Sequence, residues 1–449
     1  MFFIINSPLY KALKIHKSKN RSSFHVPGHK NSRRAGLNNL FKLDYTETPD
    51  TDSLFEADGA ILKSEKNAAK LFSAKRTLIS AGGCTLCIQT MLKLCTNKNK
   101  KIIISRLIHK SAINTLALLD ITPIWVYPRK DAGESYPGRV YAEDIEKAIV
   151  KNPDASAVYI TSPDYYGVIS DIKSISRVCK LHNIPLLVDS AHGSHLPFVD
   201  KNLDPISLGA DMVAFSAHKT LPVLTGGAYL NICNEKYIDE AKSAMAVFGS
   251  TSPSYPIMAS LDLSNKWCLR HAKTKFAKLK LEVDKIKGIA LGQGITFPNG
   301  VTDPIRICLN VRSLGLNGKD TGDFFRKEKI EPEYCDSDNV VLVPTPFNTR
   351  RDFKRLQKAI LKLCPRENNE ISCKDNFAIK DPIIKMSPRD AIFSTKERIN
   401  VEKSSGRIAA ECVAPCPPGI PVVMPGEEIT NSVISFLRNY GISFIYVVK

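Results

Sequence analysis

Four short stretches of the sequence carry side chains that could act on one ligand. Lys219 lies in Ser216-Ala217-His218-Lys219-Thr220, a few residues after the apolar run 212–215. Asp189 closes the run 184–188, and His109 follows the run 102–104. Gly82-Gly83-Cys84-Thr85 separates Leu78-Ile79 from the helical pattern of 86–94. A lysine amine forms Schiff bases with carbonyl compounds, most readily when desolvated. A carboxylate beside a pyridine nitrogen keeps that nitrogen protonated and the ring electron-poor. A glycine turn that opens a helix offers backbone N–H groups and a positive dipole end to phosphate. An imidazole can lie flat on an aromatic ring.

Each of these residues has an ordinary reading by itself. Asp189 would be a cap or turn residue, His109 a satisfied histidine, Gly82-Gly83 a plain turn, and Lys219 a surface lysine. Their joint order, each at the end of an expected strand, points to a cofactor site without naming the cofactor.

The elements that must position them alternate. Strand patterns fall at 101–105, 122–127, 155–162, 184–189, 212–216 and 227–232. Helical patterns fall at 109–120, 142–150 and 172–182, with Asp171 placed to cap the last. Short, fully apolar strands separated by helices predict an α/β fold with a mostly parallel sheet covered on both faces. In such sheets ligands bind beyond the carboxyl ends of the strands. A helix is expected over 235–245, then a long helical stretch from Tyr255 past Trp267 toward Lys287. Isolated strands are expected near 305–311 and 340–343, and 364–375 reads as a polar connection. The Pro-rich 415–421 excludes regular helix or central strand. The expected division is an N-terminal segment 1–44, a large α/β domain 45–270 and a smaller α+β region 271–449.

The 449 residues exceed what one compact core usually holds. No apolar run approaches the ~20 residues of a membrane helix. The opening Met1-Phe2-Phe3-Ile4-Ile5 lacks the flanks of a signal peptide. The 12 scattered cysteines then read as free thiols of a cytoplasmic protein. Cys84 and Cys87 have C-x-x-C spacing, but no second pair completes a zinc site, so no metal is expected. The net charge of +18 raises nucleic acid as a partner. The basic residues are dispersed, however, and Lys98-Asn99-Lys100-Lys101 and Arg350-Arg351 read as solvated loops, so specific nucleic-acid binding is not expected.

Seven blocks, in order, resemble the Orn/Lys/Arg decarboxylases among the fold-type-I (aspartate-aminotransferase-like) pyridoxal-phosphate enzymes. They are Phe24-His25-Val26-Pro27-Gly28-His29-Lys30; Ile108-His109-Lys110-Ser111 with Asp120-Ile121-Thr122-Pro123; and Thr161-Ser162-Pro163-Asp164-Tyr165-Tyr166-Gly167-Val168 with Asp171. Val188-Asp189-Ser190-Ala191-His192-Gly193, Ser216 to Thr220, and Thr251-Ser252-Pro253-Ser254-Tyr255 come next. The last is Pro417-Pro418-Gly419-Ile420-Pro421 with Met424-Pro425-Gly426-Glu427.

The resemblance implies pyridoxal 5'-phosphate bound covalently at Lys219, with Asp189 on the pyridine nitrogen and His109 stacked on the ring. It implies that Ser216 and His218 flank the lysine and hold phosphate or substrate. Gly83, Cys84 and Thr85 would form the phosphate turn, and His192 would lie near the phenolic oxygen. His218 or the freed Lys219 would return a proton to Cα. The resemblance further implies a homodimer with the site at the subunit interface, the Thr251-Ser252 loop reaching the neighbour's phosphate and Glu427 near the entrance. Two residues depart from the pattern: Cys84 stands where a hydroxyl is usual, and Asp164 where a small polar residue is expected. The chain begins almost at the linker, which implies the short form without an N-terminal wing domain.

The implied reaction is decarboxylation of a basic amino acid, with arginine the first expectation and lysine or ornithine next. A carboxylate must then meet the distal cation; Glu427, Glu428, Glu56 and Asp52 are the candidates. An aminotransferase or aldolase-type lyase would share Lys219 and Asp189, with Arg306, Arg389 or Arg407 gripping an α-carboxylate. A non-catalytic regulatory member is the other alternative, against which the intact lysine, aspartate and histidine speak.

Overall fold

The computed structural model describes residues 6–19, 40–129, 134–365, 382–414 and 421–449. The blocks at 24–30 and 417–420 lie outside the described residues.

The chain opens with α1 (Pro8–Ser18) and α2 (Ala60–Phe72), then alternates. The order is β1 (Arg76–Ser80), α3 (Gly83–Cys95), β2 (Lys101–Ser105), α4 (Lys110–Leu119), β3 (Thr122–Val126), α5 (Ala142–Lys151), β4 (Val158–Thr161) and α6 (Ile172–Leu181). It continues through β5 (Leu186–Asp189), α7 (Leu196–Val199), β6 (Met212–Phe215), α8 (Ala217–Thr220) and β7 (Ala228–Ile232). After α9 (Ala241–Ala246), α10 (Tyr255–Trp267) and α11 (Lys273–Gly292) come β8 (Ile307–Asn310), α12 (Gly318–Lys327), β9 (Tyr334–Cys335), β10 (Asn339–Leu342) and α13 (Arg350–Leu361). The described chain ends with α14 (Pro388–Phe393), β11 (Lys396–Asn400), α15 (Asn431–Asn439) and β12 (Phe444–Val448).

Two compact units emerge. The first comprises 1–95, 172–177 and 185–279; the second comprises 96–171, 178–184 and 280–449. In the first, the central-sheet strands run β1-β7-β6-β5. Strand β6 is parallel to β5 and antiparallel to β7, which is antiparallel to β1. All five residues of β7 and all four of β5 and β6 are buried, which is why these runs are apolar apart from Asn231 and Asp189. Phe72 of α2 closes on Phe215 and Tyr229, with ring centroids 5.5 and 5.1 Å apart.

In the second unit β2 lies between β4 and β3, parallel to both. Two small antiparallel sheets, β8-β10-β9 and β11-β12, belong to the same unit. The expected α/β class, with a mostly parallel central sheet and a small α+β portion, is what the chain forms.

Three local expectations change. The segment 235–245 is not one helix: Asn234 caps a 3₁₀ turn over Glu235–Tyr237, and α9 begins only at Ala241. Asn234 is tied to Asp211 at 2.8 Å and Tyr237 is buried, so the segment is pinned before it can run on. The long stretch from Tyr255 is split into α10 and α11 by a π-helical turn over Cys268–Ala272. That turn buries Cys268 and Ala272. Arg350-Arg351 is no loop but the first turn of α13, started by a reciprocal capping box between Thr349 and Asp352. Among the described residues no helix is long and apolar enough to cross a membrane.

Candidate active site

Most of the sequence-selected residues meet in the first unit, at the carboxyl ends of its strands. Strand β6 hands the chain to Ser216 and the single turn α8, which carries His218 and Lys219. Ser194 and Thr220 share a 2.7 Å hydroxyl contact that fixes this turn. The imidazole of His218 is held by its Nδ1, 3.0 Å from the Gly227 carbonyl oxygen. Lys219 Nζ lies 2.8 Å from Nε2 of His192. Two cations do not stay that close, so the contact holds while at most one of the pair is charged.

Asp189 ends β5 and is buried. Its Oδ1 accepts the Ala191 N–H at 3.1 Å and lies 3.9 Å from Cys84 Sγ. Burial pushes the Cys84 thiol well above its ordinary range, and the negative charge of Asp189 pushes the same way. Cys84 therefore stays protonated and faces Asp189 as a weak S–H donor. Cys87, one turn on, is pushed up by burial to about 12. Next to Asp189, the buried Ser190 Oγ has no hydrogen-bond partner.

Strand β1 delivers the glycine turn. Ser80 Oγ accepts the Gly82 N–H at 3.2 Å and donates to the Gly83 carbonyl at 2.9 Å. Gly83 adopts φ +69°, and its N–H donates to the Gly226 carbonyl at 2.8 Å. The 13-residue α3 starts there, so its first turn, with Cys84 and the exposed Thr85, presents helix-end N–H donors.

This donor set fits pyridoxal phosphate. A lysine amine, a buried carboxylate at a strand end and a glycine-opened helix start match the aldehyde, the ring nitrogen and the phosphate respectively.

His109 belongs to the second unit, as the N-cap of α4: its Nδ1 accepts the Ser111 N–H at 3.2 Å and lies 2.8 Å from Ser111 Oγ. In that unit sits a group that sequence reasoning missed. Arg106, fully buried, forms two parallel bonds to Glu427, 2.6 and 2.8 Å long, with its guanidinium 4.9 Å from the Trp125 ring centre. Nothing in the sequence couples positions so far apart; the signal was only an arginine three residues before His109.

The pairing changes the reading of Glu427. Both its oxygens are bound to Arg106, and Oε2 also accepts the Met424 N–H at 2.8 Å. It is not placed to meet a substrate guanidinium. Asp52 accepts backbone N–H groups of Ser53, Asp58, Gly59 and Ile61. Glu428 pairs with Lys385 at 3.2 Å, while Glu56 is exposed.

Among the arginines weighed for an α-carboxylate, Arg407 is bound to Glu397 and the Val448 carbonyl, and Arg389 to the carbonyls of Ala117 and Leu118. Arg306 is buried with Asp303 3.8 Å away. Asp164 is buried and accepts the Val168 N–H at 2.7 Å; desolvation raises its pKa to about 7. The Thr251-Ser252 loop is exposed.

The fold has close solved counterparts. The lysine decarboxylase of Francisella novicida superposes with a TM-score of 0.84 over 99% of this chain and 81% of its own, at 18% identity. Lysine decarboxylase A of Pseudomonas aeruginosa gives 0.82 over 98% and 80%, at 17% identity. More distantly, a Sphingomonas wittichii serine palmitoyltransferase gives 0.58 over 79% and 82%, at 13% identity. These likenesses show the fold that this chain shares with those enzymes. Residues 7–287 match the Orn/Lys/Arg decarboxylase major domain, and 372–442 match the C-terminal domain of the same family. Arginine decarboxylase of Bacillus subtilis is 32% identical over 96% of this chain and 93% of its own. That of Halalkalibacterium halodurans is 30% identical over the same shares. The chain belongs to the Orn/Lys/Arg decarboxylase family, whose members are pyridoxal-phosphate-dependent carboxy-lyases of basic amino acids.

Proposed function

We propose that the protein decarboxylates arginine, with Lys219 as the covalent anchor of pyridoxal 5'-phosphate. The observation that carries the site assignment is the 2.8 Å contact of Lys219 Nζ with His192 Nε2 beside the buried Asp189. Arginine is favoured because the Bacillus subtilis and Halalkalibacterium halodurans relatives, 32% and 30% identical over 96% of the chain, bear the name arginine decarboxylase. When bound, the cofactor supplies an electron sink for the pair left behind as carbon dioxide departs.

The protein's own residues do the rest. Asp189 keeps a negative charge where the ring nitrogen has to stay protonated. His192 takes a proton from, or returns one to, the Lys219 amine. His218, held on the Gly227 carbonyl, and the released Lys219 are the candidates to protonate Cα. Gly83, Cys84, Thr85 and Ser216 hold the phosphate, with Cys84 contributing less than a hydroxyl would because its thiol is turned toward Asp189. His109 stacks on the ring. The reading includes a homodimer in the cytoplasm, acting in polyamine synthesis. The cysteines of the described residues, all free thiols, accord with a reducing compartment.

Carbon dioxide release from arginine, lysine and ornithine, measured with added pyridoxal phosphate, tests the reading. Release from arginine at the highest kcat/KM is expected. A preference for lysine or ornithine would overturn the substrate, and keto-acid formation without carbon dioxide would overturn the reaction.

A further inference from the structure

We propose that the C-terminal segment grips helix α4 at both ends, so that Glu427, Arg106 and Arg389 are positioning residues for His109. The inference rests on the reading of His109 as the residue that stacks on the cofactor ring.

Helix α4 carries His109 as its N-cap, so the imidazole moves with the helix. Just before that end, Arg106 is anchored twice. Its backbone N–H donates to the Val126 carbonyl at 2.8 Å, extending the β2–β3 pairing, and its side chain forms the buried fork with Glu427. The fork has little freedom to slide. Besides the Met424 N–H that Glu427 accepts, Glu427 N–H returns a bond to the Met424 carbonyl at 3.2 Å, which closes a tight turn. Within that turn Gly426 has φ +89°, and an added Cβ would stand 2.3 Å from the Met386 carbonyl oxygen.

At the other end of α4, Arg389 Nη1 donates to the carbonyls of Ala117 and Leu118 at 3.2 and 3.1 Å. These are last-turn carbonyls, of which that of Ala117 also accepts the Asp120 N–H at 3.3 Å, and a cation there meets the negative end of the helix dipole. Both clamps come from the stretch that matches the family's C-terminal domain.

A buried ion pair is weak evidence for stability, because apolar residues of similar size often replace one without loss. Its two-bond geometry does fix direction. A stacking imidazole needs such fixing, since a misplacement of about 1 Å can cost on the order of 100-fold in rate.

The test uses the full-length enzyme loaded with pyridoxal phosphate. Glu427→Gln, Arg106→Lys, Arg389→Gln and the double variant Arg106→Met/Glu427→Met are compared with His109→Asn. For each, kcat, KM, the visible spectrum of the bound cofactor and its retention on dialysis are measured. The clamp variants are expected to lower kcat about 10- to 100-fold with little change in KM. They are also expected to move the spectrum and weaken retention in the direction His109→Asn does. Arg106→Lys keeps the charge but cannot form the fork, so it should not rescue. Should Glu427→Gln fail to fold, Arg389→Gln and the double variant remain as tests. Wild-type kcat, spectrum and retention in these two, with His109→Asn altering them, would overturn the inference. No effect of His109→Asn would instead overturn the reading of His109, and the inference with it.

Discussion

Lys219 and Arg106 are both basic side chains set down just past a strand of the central sheet, yet their surroundings differ. Lys219 meets His192, a neighbour 27 positions away whose ring can itself be neutral, through one 2.8 Å contact. Arg106 meets Glu427, 321 positions away, through a two-bonded ion pair out of contact with water. The first arrangement can release a proton and become neutral without stranding a charge. The second cannot, since removing either partner strands the other. One region is built to change state and the other to stay as it is, although strand ends furnish both.

The sharpest break of the comparison is Lys219→Ala. It should abolish both carbon dioxide release and the visible absorption of bound cofactor, while urea unfolding stays close to wild type. Asp189→Asn should likewise cripple turnover and spare stability; near-normal kcat in that variant would overturn the proposed role of Asp189 at the ring nitrogen. Glu427→Gln should do the opposite in stability, costing about 3–5 kcal/mol because Arg106 is left buried and uncompensated. The Arg106→Met/Glu427→Met double variant should recover most of that loss, and equal loss in both would mean that the stranded charge is not what unfolds the single variant.

A pH series sharpens the contrast through Asp164. Desolvation raises its folded-state pKa from 3.8 to about 7. Between those values the folded protein binds more protons there than the unfolded chain does. Stability from this group is therefore greatest below pH 4, falls as pH rises toward 7, and is level above it. Asp164→Asn should lose that slope and gain on the order of 4 kcal/mol at pH 8, read as a higher urea midpoint than wild type at pH 8 but not at pH 4. The smallest effect is expected from Arg389→Gln, about 1 kcal/mol for the hydrogen bonds lost at the end of α4.

One region is legible in the sequence and the other is not, and the cause lies in how each is built. Asp189, His192, Ser216 and Lys219 lie within 31 positions, each a step beyond an apolar run. Periodicity finds such runs, and chemistry recognises the side chains just past their ends. The glycine turn is legible for the same reason, with φ +69° at Gly83 the conformation that glycine favours. Glu427 is legible as a residue of interest but not in its role, because a carboxylate free for substrate and one locked on a distant arginine look alike in sequence. The breaks at 235–245 and 268–272 escape because tertiary anchors make them: the tie of Asn234 to Asp211 and the burial of Cys268 and Ala272. Local propensity carries no record of such ties. Arg350-Arg351 reads as loop on charge alone, although Thr349 and Asp352 spell out a helix start.

The separation of Arg106 from Glu427 also sets an order of events during synthesis. At about 5–20 residues per second, roughly 16–64 s pass between the making of the two residues. Throughout that interval the guanidinium has no carboxylate to accompany it into the interior, and burying it alone is unfavourable. The final packing around Arg106, between β2 and α4, can therefore be completed only once residue 427 is made. The Lys219 cluster, complete once residue 227 has emerged, can settle much earlier. In a growing chain the Lys219–His192 pair is therefore ready first, and His109, at the start of α4, comes to rest last.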